Sequence, residues 1–163
     1  LAAKLADKFG KKEVSMIGLM IAGGIFLVAY FMHIKNAYTF IAIYAAATLG
    51  TCIFSMLSWA FITDIIDYNE LKTGERNDAT IYGVYSFTRK LGQAVAGAVT
   101  GYALTLIGYD SLAATQVESV KTGIYALSTL FPAACYILAG LLLMITYPLT
   151  KKVVQENVAK LRG

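Results

Sequence analysis

The sequence predicts an all-α membrane protein, a polytopic bundle of four transmembrane helices. Of its 163 residues, 58% are hydrophobic and only 15% are charged, whereas an ordinary soluble domain has about 45–50% apolar and about 25% charged residues. Three windows contain no Asp, Glu, Lys or Arg: residues 14–34, 36–63 and 122–150. Because the hydrocarbon core of a bilayer needs about 20 mostly apolar residues, each window is long enough to cross it.

The order of apolar and polar segments gives the predicted organisation. We expect spans at about 14–32, 37–63, 81–107 and 124–149, separated by polar loops at 64–80 and 108–123 and followed by a basic tail at 151–163. The apolar runs are continuous and lack the period-2 alternation of a membrane barrel, which favours helices over strands. The chain begins at Leu1 rather than Met and has no recognisable signal peptide, so we expect it to be a piece of something longer.

Lysine and arginine residues flank these spans unevenly. Ten lie on one side: Lys4, Lys8, Lys11, Lys12, Lys72, Arg76, Lys151, Lys152, Lys160 and Arg162. Lys35 and Lys121 lie on the other side. Because basic residues accumulate in cytoplasmic loops, we expect both termini and the 64–80 loop in the cytoplasm, the 108–123 loop outside, and the chain in the cell (inner) membrane. The net charge of +4 is explained in the same way, and no nucleic-acid partner is expected.

The third span is unusual because Arg89 and Lys90 interrupt it. At about 1.5 Å per residue, Lys90 lies ~13 Å into this helix, near the midplane, where a Lys or Arg costs about 2.5–3.5 kcal/mol. Successive residues are about 100° apart, so the two cations are not expected to share a face. Lys90 continues a stripe of small and polar residues: Tyr82, Ser86, Gln93, Gly97 and Gly101. We expect this stripe to face a water-filled cavity or another helix; the alternative is that both cations snorkel to the interface.

The second span also has a polar face. Thr48, Thr51, Ser55 and Trp59 follow helical spacing. The functional interpretation is the wall of a polar substrate cavity in which Trp59 offers a flat surface to a sugar ring. The alternative is that the hydroxyls bond their own backbone and that Trp59 anchors the helix at the interface.

Acidic residues recur where the second span ends, at Asp64, Asp67 and Glu70. A metal site or acid/base chemistry would need further ligands, and no His, Cys or calcium-binding loop accompanies these acids. We therefore predict a solvated helix end in which Lys72 and Arg76 are the partners, with no metal site and no catalytic residue.

Two stretches resemble known families. The stretch Leu5-Ala-Asp7-Lys8-Phe-Gly10-Lys11-Lys12 is similar to the short cytoplasmic loop motif of the major facilitator superfamily. The block 63–76, Thr-Asp-Ile-Ile-Asp-Tyr-Asn-Glu-Leu-Lys-Thr-Gly-Glu-Arg, followed by Tyr82, Lys90, Gly92 and the pair Gly108-Tyr109, resembles the glycoside–pentoside–hexuronide:cation symporters, the family of melibiose permease. This resemblance implies that the four spans are the last four of a twelve-helix major facilitator fold, whose amino-terminal half is a missing partner.

The resemblance also implies roles for individual residues. Lys90 matches the family's lysine associated with sugar and cation binding, Ser86 lies near that site, and Thr51 and Ser55 fall on the cavity side. The full substrate-binding set is Lys90, Ser86, Gln93, Thr51, Ser55, Trp59 and Tyr82. The set of gating ion pairs at the cytoplasmic side is Asp7, Asp64, Asp67, Lys72, Arg76 and Arg89. A co-transported Na⁺ or H⁺ is implied, with its site mainly in the amino-terminal half, and no resident cofactor.

The expected function is cation-coupled symport of a glycoside, pentoside or hexuronide by alternating access, with the sugar and membrane lipid as partners and no enzymatic activity. Two alternatives stay open. A lysolipid-type carrier of the same superfamily would need a lateral apolar groove. A non-transporting four-helix membrane scaffold would be stable without an amino-terminal partner.

Overall fold

The computed structural model describes residues 2–162, apart from the side chain of Arg162, and these residues form six helices. They are α1 (Ala2–Phe9), α2 (Lys11–Met32), α3 (Ala37–Thr73), α4 (Asp78–Leu106), α5 (Glu118–Thr146) and α6 (Lys151–Arg162). No strand occurs in this range, so the prediction of an all-α chain is confirmed. Leu1 and Gly163, the last residue of the predicted tail, lie outside the described residues.

Three of the helices are long and apolar enough to cross a membrane, namely α2, α3 and α5. The prediction of a multi-pass membrane chain is therefore confirmed. Helix α4 has 29 residues but is less apolar, because Arg89, Lys90 and Gln93 interrupt its sequence. The length and composition of α4 alone therefore do not establish it as a fourth membrane-crossing helix.

The boundary between the second span and its loop differs from the prediction. The loop was expected over 64–80, but α3 continues to Thr73 and only residues 74–77 connect it to α4. Gly74 ends α3 with φ 75°, and its N–H donates to the carbonyl of Glu70 at 2.8 Å, the left-handed cap typical of glycine. The polar residues after the span mark the exit from lipid, but no Gly or Pro stops the helix before Gly74.

The other loop is also shorter than expected. Helix α4 ends at Leu106, close to the predicted end of the third span, but α5 begins at Glu118, six residues before the expected start at 124. The loop therefore covers residues 107–117 rather than 108–123.

Helix α2 lies between α3 and α5 and packs closely against both through glycines. A Cβ added to Gly18 of α2 would lie 2.9 Å from the carbonyl oxygen of Gly50 on α3. A Cβ added to Gly23 would lie 3.1 Å from the carbonyl oxygen of Ala133 on α5. Small residues let helix backbones approach where lipid supplies no hydrophobic driving force. No pattern in the sequence indicates these contacts, because they depend on which helices are neighbours.

Helix α4 packs little against the rest of the described chain. None of its residues is buried, and every residue from Ser86 to Tyr102 is exposed. A Cβ added to Gly97 or Gly101 would meet no atom within 4 Å. Gly97 and Gly101, which belong to the stripe expected to face a cavity or another helix, therefore make no close helix contact among residues 2–162.

The Gly18 contact predicts a sharp difference between two glycines of the same helix. Gly18→Leu should destabilise the bundle by about 1–3 kcal/mol, because the new side chain meets the α3 backbone. Gly24→Leu is the matched control, since a Cβ at Gly24 meets no atom within 4 Å. Thermal unfolding of the purified protein in detergent should show a lower midpoint for Gly18→Leu only. Equal midpoints for the two variants would contradict the packing.

Candidate functional site

A cleft of about 310 Å³ lies between α3 and α4. Trp59 lines it from α3, and five residues line it from α4: Tyr85, Ser86, Arg89, Lys90 and Gln93. The indole of Trp59 lies 5.4 Å from the ring of Tyr85 in an edge-to-face arrangement and 6.1 Å from the ring of Tyr82, measured between centroids. The cleft thus combines an aromatic wall with a wall of cations and neutral polar groups.

The structure brings together most of the predicted substrate-binding residues. Trp59, Ser86, Lys90 and Gln93 line the cleft itself, and Tyr82 contacts the indole of Trp59. The four residues of α4 follow one another at the three- and four-residue spacing that is visible in the sequence. Their contact with a substrate stays a prediction.

Two predicted residues of α3 do not line this cleft. They are Thr51 and Ser55. On the same face, the hydroxyl of Thr51 donates to the carbonyl of Thr48 at 2.9 Å, and the hydroxyl of Thr48 donates to the carbonyl of Tyr44 at 2.8 Å. Hydroxyls that bond their own helix in this way were the alternative interpretation of this face.

Arg89 and Lys90 line the same cleft, although their spacing predicted separate faces. The lining positions of α4 run from Tyr85 to Gln93 and cover an arc of about 140°, counted at 100° per residue. A cleft this wide accommodates two adjacent long side chains. Tyr85 was not predicted, although it lies one turn before Arg89 on the same arc; its hydroxyl lies 3.2 Å from that of Ser58.

A second set of polar contacts lies at the end of the bundle near α1 and α6. The ammonium of Lys11 lies 2.6 Å from the carboxylate of Asp64, whose side chain is only 5% exposed. The neighbouring Lys12 donates to the backbone carbonyl of Tyr147 at 2.6 Å. The sequence placed Asp64 among the ion-pair residues but did not identify Lys11 as its partner. This contact joins the two stretches that carried the family resemblance.

Arg76 is the centre of the other ion-pair group. Its guanidinium lies 2.7 Å from Glu70, 3.2 Å from Asp67 and 3.1 Å from Asp78. The hydrogen bonds that Arg76 donates to Glu70, Asp78 and Asp67 raise its pKa further above its usual range, so the guanidinium stays charged. The group ties the end of α3 to the start of α4.

Three residues of the predicted ion-pair set lie elsewhere. Lys72 and Asp7 are exposed and form no ion pair within residues 2–162. Asp7 lines a pocket of about 240 Å³ that also contains Lys11 and Asp64. Arg89 lines the α3–α4 cleft instead of an ion-pair group. The described part of the chain contains no group of three or more His, Cys, Asp or Glu residues that could hold a metal ion.

A bundle of membrane-crossing helices with a polar cleft along its open side is typical of a solute transporter. Residues 1–151 match the family described as MFS/sugar transport protein. The chain belongs to this family, which lies within the major facilitator superfamily. The family confirms the resemblance found in the sequence and the expectation that the chain is not an enzyme.

Relatives from bacteria agree with this assignment. The chain is 40% identical to "Uncharacterized symporter YjmB" of Bacillus subtilis (strain 168), over 90% of this chain and 32% of that protein. It is 35% identical to "Putative sulfoquinovose importer" of Escherichia coli (strain K12), over 88% of this chain and 30% of the relative. It is 30% identical to "Glucuronide carrier protein homolog" of the same strain, over 99% of this chain and 35% of the relative. The chain thus spans about a third of the length of the curated relatives it matches.

The Lys11–Asp64 pair predicts that the buried carboxylate depends on its cation. Lys11→Met should destabilise the protein by about 1–3 kcal/mol, because a buried charged group then loses its partner. The double variant Lys11→Met/Asp64→Asn should recover part of this loss. Thermal unfolding in detergent measures both, with the exposed Lys4→Met as control. Additive losses in the double variant would contradict a direct interaction.

Proposed function

We propose that this chain is the carboxyl-terminal portion of a cation-coupled sugar symporter, and that α2, α3, α4 and α5 are the last four of twelve transmembrane helices. The observation that carries the proposal is the α3–α4 cleft, whose polar groups lie on a helix that is unburied within residues 2–162. An amino-terminal half would complete this cleft. The length of the relatives supports such a half.

Helix α4 is the proposed fourth span. Its 29 residues extend ~43 Å, more than the hydrocarbon core of about 30 Å. Arg89 and Lys90 lie near its middle, where facing lipid would cost about 2.5–3.5 kcal/mol each. The opposite face of the helix presents apolar side chains, including the exposed Val84, Leu91 and Val95. This separation of polar and apolar side chains is explained if the apolar side of α4 faces lipid and the polar side faces a wet cavity.

The cleft offers two kinds of contact to a sugar. Lys90, Ser86 and Gln93 supply hydrogen bonds to hydroxyl groups, while Trp59 supplies an aromatic surface for an apolar ring face. Thr51 and Ser55 stand two turns and one turn before Trp59 on α3, so we propose that they extend the cavity wall toward the other half.

The ion pairs at the other site suit a gate. Lys11–Asp64 links α2 to α3 and the Arg76 group links α3 to α4, so both would move with this portion of the chain when the halves rock about the site. The excess of Lys and Arg near this end supports cytoplasmic termini in an inner membrane. The lining of the cleft includes no carboxylate, so the coupling Na⁺ or H⁺ would bind mainly to the amino-terminal half.

The direct test is Lys90→Ala in the full-length protein. Uptake into cells would be measured with labelled methyl glucuronide, methyl xyloside and melibiose, and membrane level by immunoblot. We expect uptake of the transported sugar to fall to background at unchanged membrane level, because the cleft loses its charged donor. Lys152→Ala is the matched control, as Lys152 is exposed on α6. Normal uptake by Lys90→Ala would remove this residue from the site.

The same assay separates the alternatives. A lipid carrier would be favoured if a lysophospholipid inhibited the measured uptake and none of the three unlabelled sugars did. Absence of uptake for all solutes, with stable folding of α2–α5 expressed alone, would favour a scaffold. Either result would overturn the proposed function.

A further inference from the structure

The α3–α4 cleft is strongly cationic for its size. Two of its six lining residues, Arg89 and Lys90, carry positive charge, and the other four are neutral. Neither cation forms an ion pair within the described chain. By contrast, Lys11 and Arg76 each contact at least one carboxylate. The cleft thus contains two cations of α4, the proposed fourth span, that have no anionic partner in the described chain.

Two like charges repel each other, and both would lose part of their hydration when the cleft closes around a substrate. A bound anion would offset both costs at once. The guanidinium of Arg89 presents a planar fork that matches two oxygens of a carboxylate or sulfonate, while the ammonium of Lys90 acts as a point charge. Hydroxyl groups of a neutral sugar would leave the two charges uncompensated by any group that lines the described cleft.

We propose, resting on the function proposed above, that the transported solute is an acidic sugar whose carboxylate or sulfonate is held between Arg89 and Lys90. The anionic group sits at the cationic wall of the cleft. The ring packs toward Trp59 and Tyr85 on the aromatic wall, and Ser86 and Gln93 bond its hydroxyls. Arg89 is then a specificity residue rather than a member of the ion-pair gate.

Matched substrates test this assignment in the full-length transporter reconstituted in vesicles. Methyl glucuronide and methyl glucoside differ only in a carboxylate against a hydroxymethyl group, and methyl sulfoquinovoside carries a sulfonate at the same position. We expect uptake of one or both acids, with KM at least about tenfold below that of the glucoside, as expected for hydrogen bonds between charged groups. This comparison needs no variant.

Variants of Arg89 then locate the charge recognition. Arg89→Gln should raise KM for the acid about tenfold to a hundredfold, and this rise should exceed the rise in KM for any transported neutral sugar. Arg89→Lys keeps the charge but loses the fork, so its KM should lie between those of the wild type and Arg89→Gln. Lys152→Gln, outside the cleft, should match the wild type.

The outcomes separate the two proposals. Uptake of the glucoside with a KM equal to or below that of both acids would overturn the acidic-sugar inference and leave sugar transport standing. An equal loss of acid and neutral uptake in Arg89→Gln would also overturn it, because Arg89 would then act on the protein rather than on the substrate's charge. Uptake of none of the three sugars would overturn the proposed function and this inference with it.

Discussion

The cost of placing a cation inside a membrane-crossing helix is the constraint on which the proposed role of α4, as a fourth span, depends. Arg89 and Lys90 follow each other near the middle of α4, and a charge at that depth is tolerated where it faces water or a counter-charge. No carboxylate lines their cleft in the described chain. In the proposed transporter, a wet cavity closed by further helices satisfies the constraint, and relatives about three times as long as this chain have room for such helices.

Packing divides the bundle into a frame and an open side. Helix α2 approaches α3 and α5 closely at Gly18, Gly23 and Gly50. The backbones come this near because no side chain stands between them at these positions. Helix α3 belongs to this frame and also carries Trp59 at the cleft and Asp64 in the ion pair with Lys11. These two residues are ~7.5 Å apart along the helix axis. The cleft and the ion-paired end are therefore linked through one rigid element.

Periodicity in the sequence predicts interactions within one helix well and interactions between helices poorly. It predicted the apolar helices and the grouping of Ser86, Lys90 and Gln93, because both follow from 3.6 residues per turn. It could not predict that Lys11 would reach Asp64, since 53 residues separate them. Gly97 and Gly18 are both glycines within a long helix, and only the arrangement of neighbouring helices distinguishes the two.

Two predictions differ from the structure, one on where α3 ends and one on the faces of Arg89 and Lys90. The backbone decides where a helix ends, and the length of a side chain decides how far it reaches around the helix. The polar run after Thr63 was assigned to a loop at 64–80, although a solvated helix end was also expected at Asp64, Asp67 and Glu70. Polar residues continue a helix in water as readily as apolar ones do in lipid, and α3 extends until Gly74 ends it. The 100° between Arg89 and Lys90 predicted separate faces, but long side chains reach a cleft that is wider than one residue. In both cases the sequence pattern correctly indicated polar surroundings. It did not indicate where the helix ends or how wide the cleft is.

Spin-label accessibility in the bilayer tests most directly whether the polar side of α4 faces water. Cys52 and Cys135 are replaced by Ser in the full-length protein, and a label is attached at Gln93→Cys or, on the opposite face, at Leu91→Cys. We predict that a water-soluble nickel chelate relaxes the label at position 93, whereas oxygen dissolved in lipid relaxes the label at position 91. Equal oxygen accessibility at both positions, with no effect of the chelate, would contradict a wet cavity.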